Sequence, residues 1–195
     1  MLAGIYKSMA EKTKKSFNEK FYNKKRKCLY DVLGDSRIRP NQLFALSLTY
    51  SVVNCDSEEA RNIFNTVTTK LLNPYGLKTL AKGEPNYIEV YEGDGFKRDM
   101  SYHQGITWPW LLGLYYDSLK NIIKSTKDKE FKKEYQNKLK EFIQTTKDTY
   151  AYALDNDGIL GSIAELHDSK KPFLPKGALA QAWSVAEVFR IILEK

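Results

Sequence analysis

Three segments of this chain, residues 43–53, 108–123 and 178–193, are apolar around most of a helical circumference. They alternate with three segments that carry a single apolar stripe. The stripes are Ile5, Met9, Phe17 and Phe21; then Ala60, Ile63, Phe64, Val67 and Leu71; then Phe131, Tyr135, Leu139, Phe142, Thr146, Tyr150 and Ala153. A helix that is apolar all round must be covered on several sides, whereas a one-stripe helix lies at a surface. The order outer, inner, outer, inner, outer, inner predicts an all-α fold of six helices, an inner set wrapped by an outer one, as in an α/α barrel. Pro40 and Pro109 suit the first turn of an inner helix. Asp56, with Glu59 three residues on, has the pattern of a capping box for the second outer one.

The connections sharpen this expectation. Links before the inner helices (residues 31–40, 73–107 and 155–177) are long and rich in Gly, Pro, aromatic and polar residues, whereas the return links near 54–56 and 125–128 are short. In an antiparallel helical ring alternate links lie on one rim. The three long loops are therefore expected on the same rim, and long ordered loops are commonly functional. The longest carries a candidate short strand at residues 87–91.

At 195 residues, with 42% hydrophobic and 13% aromatic content, the chain can bury one core and reads as a single unit over residues 1–195. It has no apolar run long enough to span a bilayer. Its N-terminus lacks the apolar block of a signal peptide, so a cytoplasmic location is expected. The net charge of +7 comes largely from lysines between Lys7 and Lys27 and between Lys124 and Lys147, on the far sides of amphipathic helices. Arginine is scarce there, so neither nucleic acid nor a membrane is the expected partner. Cys28 and Cys55 read as free thiols. No metal or cofactor is expected: the two histidines, His103 and His167, lie in different loops with no ligand cluster to join them. Asp155, Asp157 and Asp168 read as turn residues.

The chemistry concentrates in Tyr102-His103-Gln104-Gly105-Ile106-Thr107-Trp108-Pro109-Trp110, followed by Gly161-Ser162-Ile163-Ala164-Glu165-Leu166 and Gln181-Ala182-Trp183-Ser184. Indoles and a phenol offer flat apolar faces to the C–H side of a pyranose, and the amides and imidazole offer donors and acceptors for its hydroxyls. Glu165, in a Gly-containing loop among small and apolar neighbours, is the candidate for acid–base work. Trp108, Trp110 and Trp183 each read either as core packing or as a sugar-facing ring. His103 reads as a buried imidazole or a hydroxyl donor. Arg39, Gln42 and Gln181 stand at inner-helix starts, where oxygen ligands and helix-end packing are both open. Asp99 either pairs with Arg98 or binds a hydroxyl, and is the one in-chain rival for a second carboxylate.

Together with Arg39-Pro40-Asn41-Gln42, Leu71-Leu72-Asn73-Pro74-Tyr75-Gly76-Leu77-Lys78-Thr79-Leu80 and Arg98-Asp99, these blocks closely resemble, in order, the C-terminal amylo-α-1,6-glucosidase domain of glycogen debranching enzymes. The resemblance implies an (α/α)6 barrel related to glucoamylases, hydrolysing α-1,6-linked glucose at branch points of glycogen or limit dextrin with inversion. It implies Glu165 as the general base, with the aromatic and polar residues of the Tyr102–Trp110 block lining the glucose pocket. Such a barrel has twelve helices, so the six here imply half of one. The family's acid, an aspartate, lies in the preceding half, so the resemblance implies either a truncated product or one member of a split enzyme whose N-terminal half comes from a partner. Uncovered inner faces at Leu46, Leu114 and Val185 are expected to drive that pairing or self-association. The alternatives are a non-catalytic carbohydrate-binding or interaction fragment of the same fold and, less in keeping with these motifs, a hydrolase of another α-glucoside such as trehalose.

Overall fold

Helix α5 (Leu111–Ser125) is the hub of the structure, a computed structural model that describes residues 2–194. Its Leu111, Leu112, Tyr115, Tyr116, Leu119 and Ile122 are buried, so the helix is covered on most sides. Around it pack α2 (Phe44–Ser47), α3 (Glu58–Lys70), α6 (Lys129–Asn156) and α7 (Ala182–Ile192). Phe64 of α3, Tyr115 of α5 and Tyr135 and Phe142 of α6 form a tilted aromatic stack at the centre. Two further helices, α1 (Leu2–Phe21) and α4 (Gly95–Tyr102), are largely exposed, which brings the helices among the described residues to seven. The chain is predominantly helical, as the periodicity requires.

The outer stripes form largely as predicted in α3 and α6, except that Phe131 at the start of α6 is exposed and Leu139 only half-buried. In α3 Ala60, Ile63, Phe64 and Val67 are buried; in α6 Tyr135, Phe142, Thr146, Tyr150 and Ala153 are. The α3 cap is not the predicted one. Ser57 Oγ accepts from the Ala60 N–H at 3.2 Å, and Asp56 accepts instead from the Lys127 N–H at 3.4 Å. Serine at this position reaches the third N–H of the helix as well as aspartate does, and it lies one residue nearer. In α1, Phe17 and Phe21 stack at 4.7 Å and are half-buried, but Ile5 and Met9 are exposed.

The first inner helix is much shorter than expected. Residues 43–53 supply only the end of a 3-10 turn (Pro40–Leu43) and the single turn of α2, after which Leu48 is extended. Ser, Thr and two Val residues follow, all weak helix formers. Leu43, Ala45 and Leu46 are still buried, so the apolar character reflects core packing rather than a long helix. Leu46, expected to lie uncovered, is fully buried, with α2 packed on α5; Leu114 and Val185 are half-buried.

Helix α7 is buried along Ser184, Val188 and Ile191 only; Trp183, Phe189 and Leu193 are exposed. It approaches α5 at Gly113, where an added Cβ would fall 1.5 Å from Glu187 Oε2. Glu187 accepts from Arg190 Nε at 2.6 Å, and Arg190 grips Asp117 of α5 at 2.9 and 2.7 Å. The missing side chain at residue 113 leaves room for the ends of Glu187 and Arg190, which an added methyl would have to push aside.

The periodicity gave no sign of the five-stranded antiparallel meander β3 (Leu72–Asn73), β4 (Gly76–Lys78), β5 (Thr107–Trp108), β6 (Leu166–His167) and β7 (Pro175–Lys176). A second small pair, β1 (Tyr22–Asn23) with β2 (Cys28–Leu29), follows α1. The meander ties the ends of α3 and α6 to the starts of α5 and α7. Leu77 faces Trp108, Thr107 faces His167 and Leu166 faces Lys176. Trp108 thus lies in a strand, and α5 begins three residues later than the predicted helix. Residues 87–91 form no strand. They are clasped from both sides instead, with Ile88 N donating to the Gln104 carbonyl at 2.6 Å and Ser169 N to the Glu89 carbonyl at 2.8 Å. No helix among the described residues is long and apolar enough to cross a membrane.

Candidate active site

The meander gathers loop ends that are far apart in sequence. Strand β5 carries Trp108 and leads into Trp110; α4 delivers Tyr102 and His103; β6 begins one residue after Glu165; and α7 opens with Gln181 and Trp183. With residues of the first long loop they line a cleft of about 720 Å³, within the size range of small-ligand sites. Arg39, Tyr102, His103, Trp108, Trp110, Glu165, Gln181 and Trp183 all line it. The long loops therefore meet at one place.

Glu165 is held at both carboxylate oxygens. Tyr102 donates its hydroxyl to Oε1, and the Ala178 N–H donates to Oε2 at 3.0 Å. The Glu165 N–H in turn donates to the Ala178 carbonyl at 2.8 Å. This clasp depends on Gly177, whose φ of +69° disfavours a side chain and whose added Cβ would lie 2.5 Å from Oε2. Burial, then the bond to Glu165 and its negative charge, push the Tyr102 phenol well above its usual range, so it stays protonated as a donor. Each carboxylate oxygen keeps a second lone-pair direction for an incoming proton donor.

The aromatic wall is graded from core to surface. Trp108 is 3% exposed and donates its Nε1–H to the Tyr102 carbonyl at 3.2 Å, which makes it the floor. The His103 ring stacks on it at 5.5 Å, and burial followed by the nearby Arg39 charge lowers the imidazole pKa, favouring the neutral ring. Trp110 and Trp183 stack on each other at 5.4 Å, and Trp183 is 46% exposed. Of the three indoles, Trp183 is the one with most of a face open.

The opposite wall is charged and largely self-satisfied. Arg39 Nη1 donates to the Thr79 and His103 carbonyls at 3.1 and 2.6 Å, and Nη2 to Gln104 Oε1 at 3.0 Å. The guanidinium therefore braces the first long loop against the second. Arg37 chelates Asp35, its Nε 3.0 Å from both carboxylate oxygens, and these bonds bring the Asp35 pKa down to about 2.

Three candidate residues lie elsewhere. Gln42 is buried beneath the loop, donating to the Arg39 carbonyl at 2.9 Å and accepting from the Leu29 N–H at 3.3 Å. Gln104 serves as the acceptor for Arg39 and does not line the cleft. Asp99 is exposed on α4 away from the cleft. Asp168 is more than a turn residue: it is buried, accepts from the Tyr91 N–H at 2.8 Å and faces Lys176 at 3.7 Å. The sequence reading missed Asp31, Asp35, Arg37, Asn41 and Thr79 as lining residues, and Gly177 and Ala178 as supports of Glu165. Asn41 and Thr79 stood in blocks that carry the family resemblance; the others were signalled only by lying in or next to the long loops. Among the described residues no group of His, Cys, Asp and Glu side chains is arranged to hold a metal ion.

A carboxylate fixed by a phenol, beside stacked indoles in a loop-built cleft, fits the class of glycoside hydrolase-like domains. The family comparison narrows this: residues 3–190 match the family described as amylo-alpha-1,6-glucosidase, and the chain belongs to that family.

Proposed function

We propose that this chain carries the glucose pocket and the general base of an inverting α-1,6-glucosidase acting on branch points of glycogen or limit dextrin. What carries the reading is the seating of Glu165: one oxygen on Tyr102, the other on the Ala178 N–H, in a cleft walled by Trp110 and Trp183. A carboxylate so fixed can take a proton from a water attacking the anomeric carbon, while the exposed Trp183 face receives the C–H side of the sugar. His103, Gln181 and Arg39 line the same space.

Inversion also needs a carboxylic acid, typically about 6.5–9.5 Å from the base, to protonate the leaving oxygen. Asp35, with its pKa near 2, is ionised at neutral pH and cannot serve. In this reading the acid comes from a partner segment, and the chain is the second half of an (α/α)6 barrel. The exposed Phe189 of α7 and Leu193 just beyond it support that pairing, or self-association, by offering an uncovered apolar face. The buried free thiols Cys28 and Cys55 suit a reducing, cytoplasmic setting. A non-catalytic carbohydrate-binding fragment would use the same cleft without turnover.

The test is release of free glucose from a branched limit dextrin. No release is expected from the chain alone, because inversion needs both a proton donor and a proton acceptor and this reading gives the chain only the acceptor. Release is expected once the N-terminal half of a barrel is supplied. In that complex Glu165→Gln should slow turnover roughly 10²–10⁴-fold with dextrin binding retained. A loss under tenfold would remove Glu165 from the mechanism, and glucose release by the lone chain would refute the divided site.

A further inference from the structure

The polar groups that line the cleft differ in how much hydrogen-bonding capacity they have left. Asp35 has both oxygens taken by Arg37, and the Arg39 Nη groups are engaged with Thr79, His103 and Gln104. Asp31 is different. Its Oδ1 accepts from Asn41 Nδ2 at 2.8 Å, whereas its Oδ2 accepts no hydrogen bond among the described residues. The nearest cationic donor, Arg39 Nε, stands 3.8 Å from Oδ2, too far for a direct bond. Nor does that Nε–H donate to any other described group. The Asp31 side chain is only 20% exposed, so these two open valences face each other in a confined corner of the cleft.

A donor and an acceptor 3.8 Å apart can both be reached by one hydroxyl oxygen lying beside the pair. The hydroxyl gives its proton to Asp31 Oδ2 and takes the Arg39 Nε–H, closing both valences at ordinary distances. A methyl or methylene there would strand a partly buried carboxylate oxygen. Resting on the sugar-site reading above, we propose that Asp31 is a specificity-determining residue of the cleft: with Arg39 Nε it receives one ring hydroxyl of a neutral terminal hexopyranose lying against Trp183. Asn41 is the positioning residue, since its amide fixes Oδ1 and thereby aims Oδ2.

The experiment uses the chain as it stands, with isomaltose and its monodeoxy analogues in the non-reducing ring as probes and binding followed by NMR titration. For wild type, one monodeoxy analogue should bind roughly tenfold or more weakly than isomaltose, the scale of a lost hydrogen bond to a charged group. Asp31→Asn keeps the acceptor for Asn41 but replaces Oδ2 by a donor. It should bind isomaltose at least about tenfold more weakly than wild type and no longer distinguish that analogue. Asp148→Asn, on the exposed face of α6, should match wild type. Equal affinity of wild type for every analogue, or full isomaltose affinity in Asp31→Asn when Trp183→Ala has lost it, overturns the role of Asp31 and leaves the sugar site standing. Absence of saturable isomaltose binding by wild type, or unchanged binding in Trp183→Ala, defeats the sugar-site reading and this inference with it. Should Asp31→Asn melt early, Asp31→Ser and the wild-type analogue series make the same decision.

Discussion

On one wall of the cleft Arg37, Asp35 and Arg39 direct most of their hydrogen bonds to one another and to loop carbonyls; on the other, Glu165 is clasped at both oxygens yet keeps lone pairs open beside the half-exposed Trp183. Both walls would count as functional by residue type alone. They differ in what their partners leave over. The charged wall is chiefly a brace that sets where the long loops meet, and Asp31 is its one clear opening. The aromatic wall is fixed from behind, through the meander and the 165–178 clasp, and it faces the cleft with its capacity intact. A charged group at a cleft informs about ligands only after its internal partners are subtracted.

If the aromatic wall is held from behind, its supports should matter as much as its face. His167, on β6 two residues after Glu165, is 1% exposed, has an unpartnered Nδ1 and stacks on Tyr75 at 4.5 Å. Burial lowers its pKa from 6.5 to about 4. The unfolded chain therefore takes up the proton first as pH falls. The stability gained from keeping this ring neutral is complete above pH 6.5, declines between 6.5 and 4, and is lost below. The full swing is about 3 kcal/mol. Urea unfolding at pH 7 and pH 4 should show a smaller acid loss in His167→Phe than in wild type; identical losses would show that the ring is not buried neutral.

Gly177→Ala attacks the clasp directly. The added methyl meets Glu165 Oε2 in a backbone conformation that alanine resists, so the carboxylate must move. Turnover of the complemented enzyme should fall roughly 100-fold, the cost of misplacing a reacting group by about an ångström. Activity within threefold of wild type would mean that the clasp does not set the carboxylate. Trp183→Ala removes the open face while leaving Trp108 and Trp110. Isomaltose affinity should fall about tenfold, with thermal stability changing little, since an aromatic pair adds only about 0.5–1.5 kcal/mol beyond its area. The smallest effect is expected at Asp99→Asn, where binding should stay within about twofold because the side chain points to solvent. A clear loss there would place Asp99 in the site after all.

Periodicity identified α3, α5 and α6 and their buried faces, because large apolar residues recurring over three or more turns have few other uses; it also located α7, but this helix starts four residues after residue 178 and is buried on one face rather than all round. It failed for residues 43–53. A short apolar run is buried equally well as one turn plus an extended tail, and the pattern does not separate the two. The meander was illegible for a similar reason: strands of two or three residues are too short to display alternation. Candidate residues of the aromatic wall were found by type and clustering, and most line the cleft. Gln42, chosen as a helix start, Asp99, as a second carboxylate, and Gln104, for its place in the aromatic block, lie outside it, because a polar side chain near a loop faces inward, backward or out with equal ease.

The sequence by itself determined that this chain buries a helical core, that its candidate polar and aromatic residues gather in three long loops and at the helix starts beyond them, and that Glu165 with the indoles belongs to one family pattern. Only the tertiary structure decided which polar groups are already satisfied: that Arg39 is a brace, that Ala178 and Gly177 hold the carboxylate, and that Asp31 keeps an open oxygen. The reason is physical. Burial of apolar stripes follows from local spacing, but the partner of a hydrogen-bonding group is set by whichever distant backbone the folded chain brings within about 3 Å.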